Sequence, residues 1–272
     1  MKKYLRLFIL FQFILFTSLN VQAQEKTNIK YDFSCFNKDA ASTFTNTMGK
    51  MGSLIWDIAQ EDLTAKKEEE YGDKFLESAR KQFKFIEYGA DISRLQNLLR
   101  KLNSNISNPR GFNYKIYLID TSMLNAFTFG GKIFVTTEML SFCNNNDELA
   151  CIIGHEIAHN ELGHISESIK KNNLLNEYLG QDLGDVFFSL SRVVFAPFSQ
   201  IDEAHSDMRG MDIAVASGYD ICQNKKLWDR MSKKEGEYNS LSNLLSSHPY
   251  SGTRRDCAEQ HIKNNYNLRC SN

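Results

Sequence analysis

A chain of 272 residues with 32 Lys and Arg against 33 Asp and Glu carries a formal net charge of −1. That balance argues against a basic nucleic-acid surface and against an acidic disordered tail. The 42% hydrophobic content suits a globular enzyme, and only three prolines leave room for long helices.

The first residues read as an export signal. Lys2 and Lys3 precede the apolar run Leu7–Phe16, interrupted only by Gln12, and Val21-Gln22-Ala23 offers small residues at a cleavage position. The run is shorter than the ~20 residues of a spanning helix. No Cys stands just after the apolar run to take a lipid anchor. Export is expected, to the periplasm of a Gram-negative host, with a mature start at Gln24 and one domain over 24–272 whose core spans 62–264. No spanning helix is expected in the mature chain.

Glu61–Arg80 is charged and helix-forming, with Glu68-Glu69-Glu70 reading as a solvated face. Phe83–Leu102 reads as a second helix, its apolar positions Ile86, Ile92, Leu95, Leu98, Leu99 and Leu102. After the loop Asn103–Gly111, alternation over Tyr114–Ile119 predicts a strand, and Gly130-Gly131 predicts a turn into another at 132–136.

The most specific signal follows, in a helix expected over 146–163. Gly154-His155-Glu156-Ile157-Ala158-His159 reads HExxH in an apolar setting of Leu149, Ile152, Ile153, Ile157 and Ala158. On a helix His155 and His159 share a face, one turn apart, where two imidazoles can grip one zinc ion. Glu156 lies about 100° further round, placed to take a proton from a water activated by that ion. Buried histidines need partners, which favours metal ligation over two solvated side chains.

A catalytic zinc usually has three protein ligands. The template HExxHxxGxxH fails, because Gly163 and His164 each fall one position away; His164 instead suits the end of the helix. Downstream, Glu203 and Asp207 share a face of a helix expected over 199–217 and ended by Gly218. Glu203 can ligate, and Asp207 can then fix the tautomer of a ligand imidazole. Spacing leaves Asp202 and His205 as rivals. Cys151, one turn before His155, is a weaker one.

The polar stretch 165–182 is expected to cover the cleft, and Val186, Phe187, Leu190, Val193 and Val194 form a core stripe. Helices are expected near 222–233 and 251–264. His248, before a proline in a Ser-rich loop, reads by itself as structural. Six cysteines, Cys35, Cys143, Cys151, Cys222, Cys257 and Cys270, suit disulfides in an exported protein. A Cys257–Cys270 bridge would tie down the tail and a Cys143–Cys151 bridge would clamp the HExxH helix, but sequence does not choose the pairing.

Four blocks in order resemble one family. They are Asn125-Ala126-Phe127 with Gly130–Thr137, the HExxH helix, Glu203-xxx-Asp207 continuing to Ala216–Asp220, and Ser247-His248-Pro249 followed by Arg254 and Arg255. The chain resembles the zinc peptidases that include the CAAX prenyl proteases, the heat-shock protease HtpX and the stand-alone periplasmic outer-membrane-assembly proteases. The resemblance implies a mainly helical α+β, zincin-like fold whose small sheet has an edge strand bordering the cleft, where substrate adds as a strand. It implies one zinc per chain on His155, His159 and Glu203, with Glu156 as general base and Asp207 beside a ligand. It places His248 near the metal, aiding the transition state or latching the site, and gives Arg254 or Arg255 an oxyanion or Asp207 to hold. Gln200 and Ser206 depart from the family's usual Arg and Ala, touching substrate handling and not the ligands.

The combined expectation is an exported zinc endopeptidase acting on unfolded or misfolded proteins, with outer-membrane proteins or their assembly machinery as further partners and no nucleic acid. The alternative is a latched or inactive binding or chaperone-like factor of the envelope.

Overall fold

A computed structural model describes residues 29–36, 63–171, 190–191, 194–195, 197–235, 248 and 252–270. The expected export signal, and much of the expected cleft cover at 165–182, lie outside these residues. The chain divides into two units, Met1–Lys30 and Tyr31–Asn272, and every element below belongs to the second.

The first helix, α1, spans Ala65–Gln82; the Thr64 side chain caps it by accepting from the Lys67 amide. Glu68 is buried in α1, although its triplet reads as solvated. Its partners are Arg110, 2.6 Å away, and Ser166. Strand β1 (Lys84–Ile86) precedes α2 (Ala90–Asn103). The helix expected from Phe83 therefore starts later. Lys84, Phe85 and Ile86 pair instead with Asp120, Ile119 and Leu118, and that tertiary pairing overrides a weak local pattern.

Strands β2 (Lys115–Asp120), β3 (Ala126–Phe129) and β4 (Lys132–Thr136) complete a sheet of order β1-β2-β4-β3. Only β2 and β4 run parallel. Gly130 and Gly131, at φ 55° and 74°, make the two-residue turn from β3 to β4 that their sequence predicts. Side chains alternate across the sheet. Ile116, Leu118, Ile133 and Val135 enter one core with α2 and the site helices, while Ile119, Phe127, Phe129 and Phe134 enter a second core with Phe75 of α1.

The short helix α3 (Thr137–Phe142) leads to α4 (Asn146–Glu161), then α5 (His164–Lys171), α6 (Gln200–Ala216), α7 (Cys222–Glu235) and α8 (Gly252–Tyr266). The architecture is mainly helical α+β, as expected. Leu190 and Val194 of the apolar stripe are buried in the second core; Val186, Phe187 and Val193 lie outside the described residues. Among the described residues, no helix is long and apolar enough to cross a membrane.

Two bridges form, Cys35–Cys257 and Cys222–Cys270, and Cys143 and Cys151 are free and buried. Neither pairing suggested by sequence proximity occurs. The bridged cysteines lie 222 and 48 residues apart and are brought together by packing, about which short sequence separation carries no information.

Candidate metal centre

Two helices and one loop residue build the site. Helix α4 is buried nearly all round and starts at Asn145, whose side chain accepts from the Glu148 amide at 2.9 Å. Helix α6 starts with a reciprocal capping box between Ser199 and Asp202. The two helices cross at glycines. A Cβ on Gly154 would lie 2.7 Å from the Gly210 carbonyl oxygen, and one on Gly210 would lie 2.6 Å from the His155 amide nitrogen. Their missing side chains let His155 and His159 face Glu203 and Asp207 at close range.

Ligand-type atoms of His155, His159, Glu203 and His248 all lie within 4.8 Å of one another. His155 Nε2 is 2.9 Å from His159 Nε2 and 3.3 Å from His248 Nδ1. Glu203 Oε1 is 3.3 Å from His159 Nε2 and 3.1 Å from His248 Nδ1. Asp207 Oδ1 sits 2.9 Å from His155 Nδ1, which favours the proton on Nδ1 and a lone pair on Nε2. Burial holds His159 well below the usual imidazole range, so its ring is neutral. Two lone pairs facing each other at that distance in a dry site repel unless a cation lies between them. A tetrahedral ion with metal–nitrogen bonds of ~2.0–2.1 Å has ligand–ligand edges of roughly 3.3 Å. The residues therefore fit a divalent ion, and a nitrogen-and-carboxylate donor set suits zinc.

Burial would raise the Glu203 carboxyl, but Arg254, with His248 and His159, holds it well below the usual carboxylate range. Arg254 Nη1 lies 2.7 Å from Glu203 Oε2, and its Nε and Nη2 each donate to Asp207 at 2.9 Å. Arg255 is half-exposed and pairs with Asp256. Glu156 is raised by burial, an effect opposed by His248 and His155. Its Oε2 is buried without a hydrogen-bond partner, and its Oε1 is 3.7 Å from His248 Nε2. A carboxylate so placed is ready to receive a proton.

The rivals for the third ligand stand outside the cluster. His205 packs edge-on against the rings of Tyr31 and Phe33, and Asp202 Oδ1 is 3.7 Å from His164 Nε2. His164 corrects the sequence reading. It opens α5 after Gly163, at φ 78°, instead of ending α4, and its Nδ1 returns to within 3.1 Å of His159 Nδ1. A helix break cannot be scored by helical spacing, so no periodicity marks this contact. Asn160 belongs to no sequence motif, yet it ties the site together. Its Nδ2 donates to Thr128 Oγ1 at 2.7 Å and to the Glu156 carbonyl at 2.8 Å, and its Oδ1 accepts from Gly131 at 3.0 Å. These bonds fix the edge strand β3 against α4.

A mainly helical α+β fold with this His–His–Glu–His cluster defines a metallopeptidase type of site. The chain belongs to peptidase family M48, whose model matches residues 90–261. It is similar to the mitochondrial metalloendopeptidase OMA1 of Arabidopsis thaliana, 29% identical over 163 residues, 57% of this chain and 33% of the relative. The metalloprotease LoiP of Escherichia coli is 28% identical over 183 residues, 62% of this chain and 68% of the relative. The beta-barrel assembly-enhancing protease of Yersinia pestis is 21% identical over 160 residues, 52% and 33% of the two chains. The chain thus spans about a third of the length of the first and third of these relatives.

Proposed function

We propose that this chain is a zinc-dependent endopeptidase whose ligands are His155, His159 and Glu203. The observation that carries the reading is the convergence of their lone pairs beside a buried, unpartnered carboxylate oxygen of Glu156. Bound there, zinc supplies Lewis-acid polarisation and a water of lowered pKa. Glu156 takes the proton of the attacking water and delivers it to the leaving amine. Asp207 and Arg254 hold the His155 ring and the Glu203 carboxylate in place. Substrate backbone lies along β3, the edge strand that Asn160 anchors. The domain proposed is 24–272, after an export signal at 1–23, and the periplasm is its proposed place of work. Misfolded envelope proteins are the proposed substrates; the name of the Yersinia relative, a beta-barrel assembly-enhancing protease, supports a link to beta-barrel assembly. Removal of metal with a chelator should abolish casein cleavage and stoichiometric zinc should restore it; cleavage that survives metal removal would contradict the reading.

A second reading has its own observation. His248 Nδ1 lies among the ligand atoms, 3.3 Å from His155 Nε2. There it serves as a latch on the fourth position, and the chain is then held shut or acts as a binding factor. His248→Ala raises turnover if His248 latches and lowers it if the side chain aids catalysis.

A further inference from the structure

A small cavity opens on the cluster, and its walls come from α4, α7, β3 and α3 together with the residues of the site itself. Cys151 and Ile152 stand one turn before His155 and Glu156 on the same helix, so the cavity continues the face that carries those two residues. Asn224, Trp228 and Met231, at spacings of four and three on α7, form the facing wall. Ala126 at the start of β3, with Met139 of α3, closes a third side. The Trp228 indole donates to Asn224 Oδ1 at 2.9 Å, and the Arg254 guanidinium covers its ring at 4.8 Å. The wall is thus held rigidly by the same arginine that holds Asp207 and Glu203.

We propose that this cavity selects the substrate side chain adjacent to the bond cut, and that it admits small to mid-sized aliphatic residues. The inference rests on the peptidase reading and adds a specificity to it. Met139, Cys151, Ile152, Trp228 and Met231 give the cavity its apolar lining, and among the described residues no lysine lines it; of its charged groups, Asp207 and Arg254 are bound to each other and Glu156 is the proposed proton carrier. Its volume, about 60 Å³, falls well short of the ~150 Å³ that holds a benzene ring. Alanine, valine and leucine fit, with the larger of these reaching into the mouth; phenylalanine and tryptophan do not. Met231 and Ile152 set the size limit, because they are the apolar lining residues that are only partly buried, whereas Ala126, Met139, Cys151 and Trp228 are buried.

The test uses zinc-loaded mature protein and a peptide series varied at the two positions flanking the cleaved bond. Wild type should favour Val and Leu over Phe and Lys by ~10-fold or more in kcat/KM at one of those positions. Met231→Ala should raise the Phe-to-Val ratio by ~10-fold, and Ile152→Phe should shift preference toward Ala. Titration of the same peptides into Glu156→Gln should reproduce the order in Kd, a readout independent of turnover. Cleavage with a flat profile, or a profile that neither variant moves, overturns the pocket while the peptidase reading stands. No cleavage of any peptide or of casein by zinc-loaded wild type overturns both.

Discussion

Asp207 and Arg254 carry more of the site than their distance from the reaction suggests. Asp207 receives Arg254 through two bonds of 2.9 Å and faces His155 Nδ1 at the same distance. Asp207→Asn should weaken zinc binding ~10–100-fold with the circular dichroism spectrum unchanged. Arg255→Ala should change neither quantity, since the Arg255 guanidinium is half-exposed and pairs with exposed Asp256, whereas the buried Arg254 is the one that reaches Asp207 and Glu203. Equal loss in both variants would contradict this account. The two histidines and Glu156 were legible because helical spacing alone brings them to one place. Arg254 and Arg255 were not separable, since neighbours on a helix point about 100° apart and only packing says which one points inward. His164 was misread for the related reason that Gly163 ends the helix before it.

At the scale of elements, the site depends on the crossing of α4 and α6. Both would-be Cβ clashes at Gly154 and Gly210 are with backbone atoms, which cannot swing away as a side chain can. Gly210→Ala should therefore cost about 1–3 kcal/mol in urea unfolding and lower zinc affinity as α6 moves from α4. A gain in stability, as expected for Gly→Ala in an uncrowded helix, would show that the helices do not approach as described. Helical spacing and the Gly218 stop pointed to both helices, and Gly130-Gly131 pointed to the β3–β4 turn. None of these revealed the crossing, because a glycine needed for close approach looks in sequence like any other helical glycine. Strand β1 was hidden for a similar reason: three residues of Lys-Phe-Ile type are made a strand by β2 beside them.

Across the whole molecule, bridges join segments far apart in sequence. Cys35–Cys257 links the segment before α1 to α8 across 222 residues, and Cys222–Cys270 links the start of α7 to the segment after α8. Around the first bridge, Tyr31, Tyr266 and His261 all converge on Asp212 at 2.6–2.7 Å. Removing either disulfide should cost about 2–5 kcal/mol. The remaining thiols are inert for a physical reason: burial pushes Cys143 up to about 12, and Cys151 higher still. A thiol reagent at pH 8 should find none in the native protein and both Cys143 and Cys151 after unfolding without reductant. Rapid labelling of the native protein, or four or more thiols on unfolding, would refute the pairing. None of this was legible in the cysteine spacing, because the partners are set by where α7 and α8 pack.

The central claim, that His155, His159 and Glu203 hold zinc for a reaction in which Glu156 moves the proton, is tested most directly by one comparison. Mature wild type and Glu156→Gln are assayed side by side for zinc content and casein cleavage. The account predicts about one zinc per chain in both and cleavage in wild type alone. Wild type without zinc, or a Glu156→Gln variant that cleaves as fast as wild type, would contradict it.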